Sequence, residues 1–289
     1  MAGMATQIPF VREMHFVYGE PEQVSPSVRR LVARNPGLLT LYGTNTYLVG
    51  REQVAVIDPG PDERSHIDAI LAEGAGRIRW ILVTHTHEDH SPAAAALARE
   101  TGAELWGQVA PDELYQDRTF RPDVPFTDGA VLATPEFRLR AIHTPGHAAN
   151  HFCVLLEEEG MLMTGDHIMN GSTVVIIPPG GDMKDYLDSL EKLKAYPLRH
   201  LAPGHGELMP EPVAAIDGIV AHRLQREAKV VRALEATGGG TLDELVLSAY
   251  DDVPTALHMM AKYSLWAHLI KLAREQRVGE RDGRWMPLD

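Results

Sequence analysis

The chain has 289 residues, a formal net charge of −13 and 44% hydrophobic residues, enough apolar material for one large core and a smaller appended one. The acidity excludes broad electrostatic attraction to nucleic acid or anionic lipid, although not a local basic groove. The single cysteine, Cys153, excludes an intramolecular disulfide and the thiolate clusters of structural zinc sites, so any metal must be held by histidine and carboxylate.

Met1 to Phe10 contain no apolar run behind a basic start, and no later stretch approaches roughly eighteen uncharged apolar residues. Neither secretion nor membrane insertion is indicated, and a cytoplasmic location is expected. The first clear elements are strands at 46–50 and 53–57, the second stopped by Asp58-Pro59-Gly60. A helical pattern over 63–73, closed by Gly74 and Gly76, leads to an apolar strand at 80–83. His85-Thr86-His87-Glu88-Asp89-His90 follows at once. Ser91 reads as an N-cap and Pro92 as the first position of an alanine-rich helix running to Glu100. The histidine run is thus a strand-to-helix loop, the place where α/β folds gather ligands.

Strands are next expected at 131–132, 137–142, 151–156 and 161–163, with an exposed amphipathic helix at 182–194 and a last short strand at 200–202. Cys153 lies in the second of the longer strands and reads as a buried core thiol. From Pro212 the pattern changes: a helix to Thr237, a Gly238-Gly239-Gly240 break, a capped short helix at 241–245, a helix over 254–276, and a hairpin at 277–285 turning at Asp282-Gly283. This is the outline of a winged helix, and it divides the chain into 1–210 and 211–289. The second part carries 10 Lys and Arg against 12 Asp and Glu, so the acidity belongs to the first. Arg223, Arg226, Lys229 and Arg232 recur at helical spacing, either as a solvated face or as a basic stripe. Leu257, Met260, Ala261, Leu265, Leu269 and Leu272 read as the core of the appended part.

A divalent metal needs several neutral imidazoles and carboxylates converging on it, and His85, His87, Asp89 and His90 supply four within six residues. Three further candidates each end an expected strand: His147 in Thr144-Pro145-Gly146-His147, Asp166 in Thr164-Gly165-Asp166-His167, and His205 in Pro203-Gly204-His205-Gly206. His143, His151 and His167 flank these positions and read as supporting or core histidines. Ser172 and Thr173 follow Asp166 and read equally as substrate contacts or as an ordinary polar turn.

The order Asp58, His85-x-His87-x-Asp89-His90, His147, Asp166, His205 resembles the motif series of the metallo-β-lactamase superfamily over roughly residues 40–206. The resemblance implies an α+β fold, a four-layer αββα sandwich followed by a helical, winged-helix-like domain. It implies two metal ions per chain, zinc by default with manganese or iron compatible with the same ligand types. His85, His87 and His147 would hold one ion, Asp89, His90 and His205 the other, and Asp166 both, while Asp58 would orient a ligand through hydrogen bonds. Two adjacent cations would activate water and polarise the group under attack. Asp89 is the candidate catalytic residue, orienting that water and passing on its proton.

A bridging aspartate is absent from the superfamily's antibiotic-hydrolysing members, so Asp166 points away from β-lactams. The interval of 39 positions from Asp166 to His205 leaves no room for the inserted domain of its large nucleases. Residues 43–50, 83–91 and 143–147 resemble the lactamase-beta-like group that includes an animal mitochondrial endoribonuclease, which makes single-stranded RNA one candidate substrate. A second candidate is an ester, thioester or lactone, cleaved in the manner of glyoxalase II. The remaining alternative is a winged-helix nucleic-acid-binding protein with a non-catalytic metal site. The appended part would shape the substrate entrance or form a homodimer contact.

Overall fold

The computed structural model describes residues 8–111 and 115–288. Met1 to Gln7, on which most of the reading against a leader rests, lie outside the described residues, as does Asp289 at the end of the second part. No described helix is long and apolar enough to cross a membrane.

Seven strands form the first sheet in chain order: β1 Glu22–Ser25, β2 Val28–Val32, β3 Asn45–Val49, β4 Val54–Ile57, β5 Ile78–Leu82, β6 Glu104–Gly107 and β7 Val124–Pro125. The first four pair antiparallel. From β4 onward the pairing is parallel. Helices α1 Arg64–Gly74 and α2 Ala93–Thr101 provide two of the crossovers that parallel pairing demands. The second sheet runs β12-β11-β10-β9-β8, from β8 Val131–Ala133, β9 Arg138–His143, β10 Phe152–Leu156, β11 Met161–Gly165 and β12 His200–Pro203. Helix α3 Met183–Leu193 links β11 to its parallel neighbour β12.

Side-chain alternation sorts these strands into layers. Tyr47, Val49, Ala55 and Ile57 of the first sheet meet Phe152, Val154 and Leu156 of the second. Their sequence neighbours Leu48, Val54 and Val56 face outward against Ile67 and Ile70 of α1 and Leu97 of α2. On the far side Cys153 and Leu155 face Tyr186 and Leu190 of α3. A strand whose residues are all buried on both faces can only be the inside of a stack, and the result is the four-layer αββα sandwich. Cys153 is a fully buried free thiol, and burial raises its pKa to about 12.

Four elements and a closing hairpin follow: α4 Pro212–Thr237, α5 Leu242–Ala249, a 3-10 turn Thr255–Leu257, α6 His258–Arg274, then β13 Val278–Arg281 and β14 Arg284–Pro287. Thr241 and Glu244 form a reciprocal capping box at α5. Asp282 and Gly283 both take positive φ, the requirement of a two-residue primed turn. The 26-residue α4 serves two cores: Ala215, Ile216 and Ile219 join α3 against the second sheet, whereas Val230 and Leu234 join α5 and α6.

Four sequence expectations need correction. Ser91 does not cap α2, which starts at Ala93 with no side-chain cap; its hydroxyl donates to Asp117 Oδ2 at 2.7 Å. Leu257 is exposed and Met260 only half-buried, because the chain reaches α6 through the 3-10 turn and the apolar face begins at Ala261. Of the row Arg223, Arg226, Lys229 and Arg232, only Arg232 is exposed, and no open stripe results. Arg223 and Arg226 are buried, Arg226 forks onto Asp252 at 2.7 and 3.2 Å, and Lys229 pairs with Asp251 and Asp252 at 2.9 and 3.0 Å. The helix expected at 182–194 is amphipathic but packed, with Asp182 capping it by accepting from the Lys184 and Asp185 amides.

Candidate metal centre

The functional side chains come from loops at one rim of the sandwich. Strand β5 is followed by the loop carrying His85, His87, Asp89 and His90; β9 leads to His147, β11 to Asp166 and β12 to His205. Two clusters result. In the first, His85, His87, His147 and Asp166 bring one ligand atom each within 4.8 Å of one another; Asp89, His90 and His205 do the same in the second. His87 Nδ1 lies 2.9 Å from His85 Nε2 and 3.0 Å from His147 Nε2.

Asp166 stands between the clusters. Its Oδ2 is 3.7 Å from His147 Nε2, and its Oδ1 is 3.4 Å from His90 Nε2 and 3.2 Å from His205 Nε2. Asp89 Oδ2 is 3.1 Å from His205 Nε2 and 3.5 Å from His90 Nε2. His90 Nε2, His205 Nε2 and Asp166 Oδ1 are buried yet have no hydrogen-bond partner of acceptable geometry among the described residues. Buried polar atoms are normally satisfied, and three orphans aimed at a common point fit a cation.

Four of the five rings are held by the other nitrogen. His90 Nδ1 meets Asp58 Oδ2 at 2.9 Å, His147 Nδ1 meets the Val175 carbonyl at 2.9 Å, and His205 Nδ1 meets the Gly43 carbonyl at 3.1 Å. His85 Nδ1 lies 3.1 Å from Thr84 Oγ1, which itself donates to Asp58 Oδ2 at 2.8 Å. A carbonyl or carboxylate accepting from one ring nitrogen fixes the tautomer and leaves the other free to bind. Asp58, at the end of β4, also accepts from the Thr84 amide at 2.8 Å and thereby reaches both clusters. Gly204 is obligatory beside it, since a Cβ there would lie 2.7 Å from His90 Cε1 and 3.0 Å from Asp166 Oδ1.

The flanking histidines do not join either cluster. His151 accepts from the Asp166 amide at 3.2 Å through Nε2 and contacts Thr144 Oγ1 at 3.0 Å through Nδ1, so it holds Asp166 in place. His143 packs on Phe152, and His167 is buried against Tyr186. Ser172 is exposed and its hydroxyl only approaches its neighbour's carbonyl. Sequence reasoning passed over Thr84, Thr144 and Asn45. The Asn45 side chain donates to Pro203 and Gly206 carbonyls at 2.9 and 2.8 Å, clamping the turn that presents His205. Only polar residues at strand ends beside the motif hinted at them.

Electrostatically the clusters are opposites. Burial drives His85 well below the ordinary imidazole range, His87 to about 3 and His147 downward. Burial acts the same way on His90 and His205, but the carboxylates win. Asp89, Asp166 and Asp58 hold His90 well above its usual value, and Asp166 with Asp89 holds His205 up to about 9. Burial would raise Asp89 and Asp166; the two histidines instead pull Asp89 down to about 2 and Asp166 well below the carboxylate range.

A stacked pair of sheets with paired His/Asp clusters on its rim marks a metal-dependent hydrolase. The family profile described as the metallo-beta-lactamase superfamily matches residues 39–205, and that of the beta-lactamase associated winged helix domain matches 241–285. The chain belongs to the metallo-beta-lactamase superfamily, whose members bind a dinuclear metal site, and it ends in a winged helix of the kind that accompanies that domain. It is 31% identical over 259 residues to a beta-lactamase-like protein 2 homolog of Caenorhabditis elegans, covering 88% of this chain and 86% of that one. It is 33% identical over 218 residues to an atrochrysone carboxyl ACP thioesterase of Cryptosporiopsis, covering 74% and 65%. A crystallised metallo-beta-lactamase family protein of Thermus thermophilus shares the fold, with a TM-score of 0.76 at 24% identity over 92% of this chain and all of that one.

Proposed function

We propose that the protein hydrolyses an acyl thioester or a related ester at a dinuclear centre, zinc being the first choice. His85, His87 and His147 would hold one ion, Asp89, His90 and His205 the other, and Asp166 both. The observation that carries this reading is the Asp166 carboxylate, which turns one oxygen to each histidine cluster. Ions held there would supply activation of water near neutral pH and Lewis-acid polarisation of the acyl oxygen. The chain's own residues do the rest. Asp89, partly exposed at the mouth and held ionised, can accept a proton from attacking water and deliver it to the departing thiolate or alkoxide. Asp58, Val175 and Gly43 keep three imidazoles pointing inward through the cycle.

The substrate class draws support from the thioesterase named among the relatives and from the fate of the Arg223–Arg226–Lys229 row. Those cations are spent on internal partners, so this helix offers no free basic track for a phosphodiester backbone. In this reading residues 1–210 form the hydrolase domain and 211–289 the winged-helix-like domain, in a cytoplasmic protein. A side-by-side assay of the zinc-loaded protein on acyl thioesters, acyl lactones, single-stranded RNA and a β-lactam tests the assignment. Thioester or ester turnover without RNA cleavage is expected; RNA cleavage without acyl turnover would overturn it.

A further inference from the structure

Arg223 is the least expected residue of α4, a nearly fully buried guanidinium. Its Nη2 donates to the Val174 carbonyl, and the group lies 5.4 Å from the centre of the Tyr186 ring. The next carbonyl along, that of Val175, is the one that accepts from His147 Nδ1. Arg223 therefore grips the peptide unit adjoining the one whose carbonyl sets the ring of a candidate ligand. Tyr186 extends the contact: its hydroxyl donates to the His167 carbonyl at 2.9 Å, and its backbone fills the space beside Gly146, where a Cβ would come within 2.3 Å of the Tyr186 Cα.

A second arm reaches the same histidine from α6. Arg274 pairs with Asp182 Oδ2 at 2.6 Å. The Asp182 amide donates to the Gly146 carbonyl at 2.7 Å, immediately before His147 in the chain. Both arms start in the carboxyl-terminal helices, and both end on the backbone that frames His147. Among the described residues, neither His85 nor His87 has such a support; His85 leans on Thr84 within its own loop.

We infer that Arg223, assisted by Arg274, is a positioning residue for His147, through which the carboxyl-terminal helices set the metal affinity of the first cluster. This rests on the two-ion reading above. Outer partners of metal-binding histidines are typically worth about 10–100-fold in affinity. A Val174 carbonyl that loses the Arg223 donor should release the Val174–Val175 stretch of backbone and with it the His147 ring.

The test uses the full chain, stripped of metal and titrated with cobalt(II) alone, followed by visible absorption and by competition with a chromophoric chelator. Wild type should take two equivalents; fewer than about one would sink the dinuclear reading itself, whatever the variants do. Given two in wild type, Arg223→Met should weaken one equivalent about 10–100-fold and alter its absorption bands, leave the other within about twofold, and be partly restored in Arg223→Lys. Arg274→Gln, at a half-exposed position, should weaken the same equivalent several-fold. Binding of both equivalents within about twofold of wild type in Arg223→Met and Arg274→Gln overturns the inference, as does equal weakening of both equivalents, which would mean general loosening. If Arg223→Met fails to fold, Arg223→Lys and Arg274→Gln decide by the same criteria.

Discussion

The two histidine clusters sit side by side at one rim of the sandwich yet differ in how they wait for a cation. His85, buried, and His87 and His147, half-buried, are neutral imidazoles ready to donate lone pairs without first losing a proton. His90 and His205 are set among Asp58, Asp89 and Asp166 and hold protons until something more positive displaces them. Burial is the largest influence on the first cluster and neighbouring imidazoles add to it, whereas charge overrides burial in the second. Metal binding at the second should therefore release protons and depend more steeply on pH.

The strongest way to break this comparison is to remove the group the clusters share. Asp166→Ala should lower turnover by at least about 1,000-fold and cut bound metal from two ions towards one, with the circular dichroism spectrum unchanged. Metal analysis and steady-state kinetics on the same sample check it, and half-maximal activity in the variant would end the account of Asp166 as the bridge. Next in size, Asp58→Asn should weaken the second cluster's metal about 10–100-fold, since His90 loses its charged acceptor, while the first cluster changes less. Equal losses at both would show that the Thr84 arm of Asp58 matters as much as the His90 arm.

The metal-free protein offers a third test through pH. His87, at about 3 when folded, binds fewer protons than in the unfolded chain between about 3 and 6.5, so its stabilising effect is lost as pH falls below about 6.5. His205, at about 9, binds more protons when folded. Its contribution is present below about 6.5 and lost as pH rises towards 9. Burial lowers His85, His147, His151 and His167 as well, so the acid flank should be the steeper one. A plot of Tm against pH for stripped protein is expected to peak near neutrality; restoring zinc should flatten the alkaline side, where His90 and His205 no longer hold protons, and steepen the acid side, where protons compete with the metal, and a monotonic curve for the stripped protein would contradict the opposed charge states. The smallest effect concerns the loop behind the second cluster. Ser91→Ala should cost about 1 kcal/mol, the worth of one hydrogen bond, and a double-mutant cycle with Asp117→Ala should show the two changes to be non-additive. Additive effects would return Ser91 to a local role at the start of α2.

Much of this molecule could be read from the chain alone, where local chemistry decides the outcome. Short apolar runs at residues 46–50, 53–57 and 151–156, bounded by turn residues, announced strands, and Asp282-Gly283 announced a hairpin, because backbone sterics act over a few residues. The seven metal-binding candidates announced themselves by type, since buried metal chemistry has few other uses for His and Asp at the ends of strands. What lay beyond reach was anything set by distant partners. Ser91 passed for a cap because Asp117, 26 residues on, was invisible to local pattern. Arg223 and Arg226 passed for surface because nothing nearby shows that Val174, Tyr186 and Asp252 will fold over them. The division into a neutral and a charged cluster belongs to the tertiary structure too: it depends on which oxygen of Asp166 faces which ring, and on Asp58 standing behind His90. Electrostatics inside a fold is decided by separations of a few ångströms between residues far apart in sequence, and only packing sets those separations.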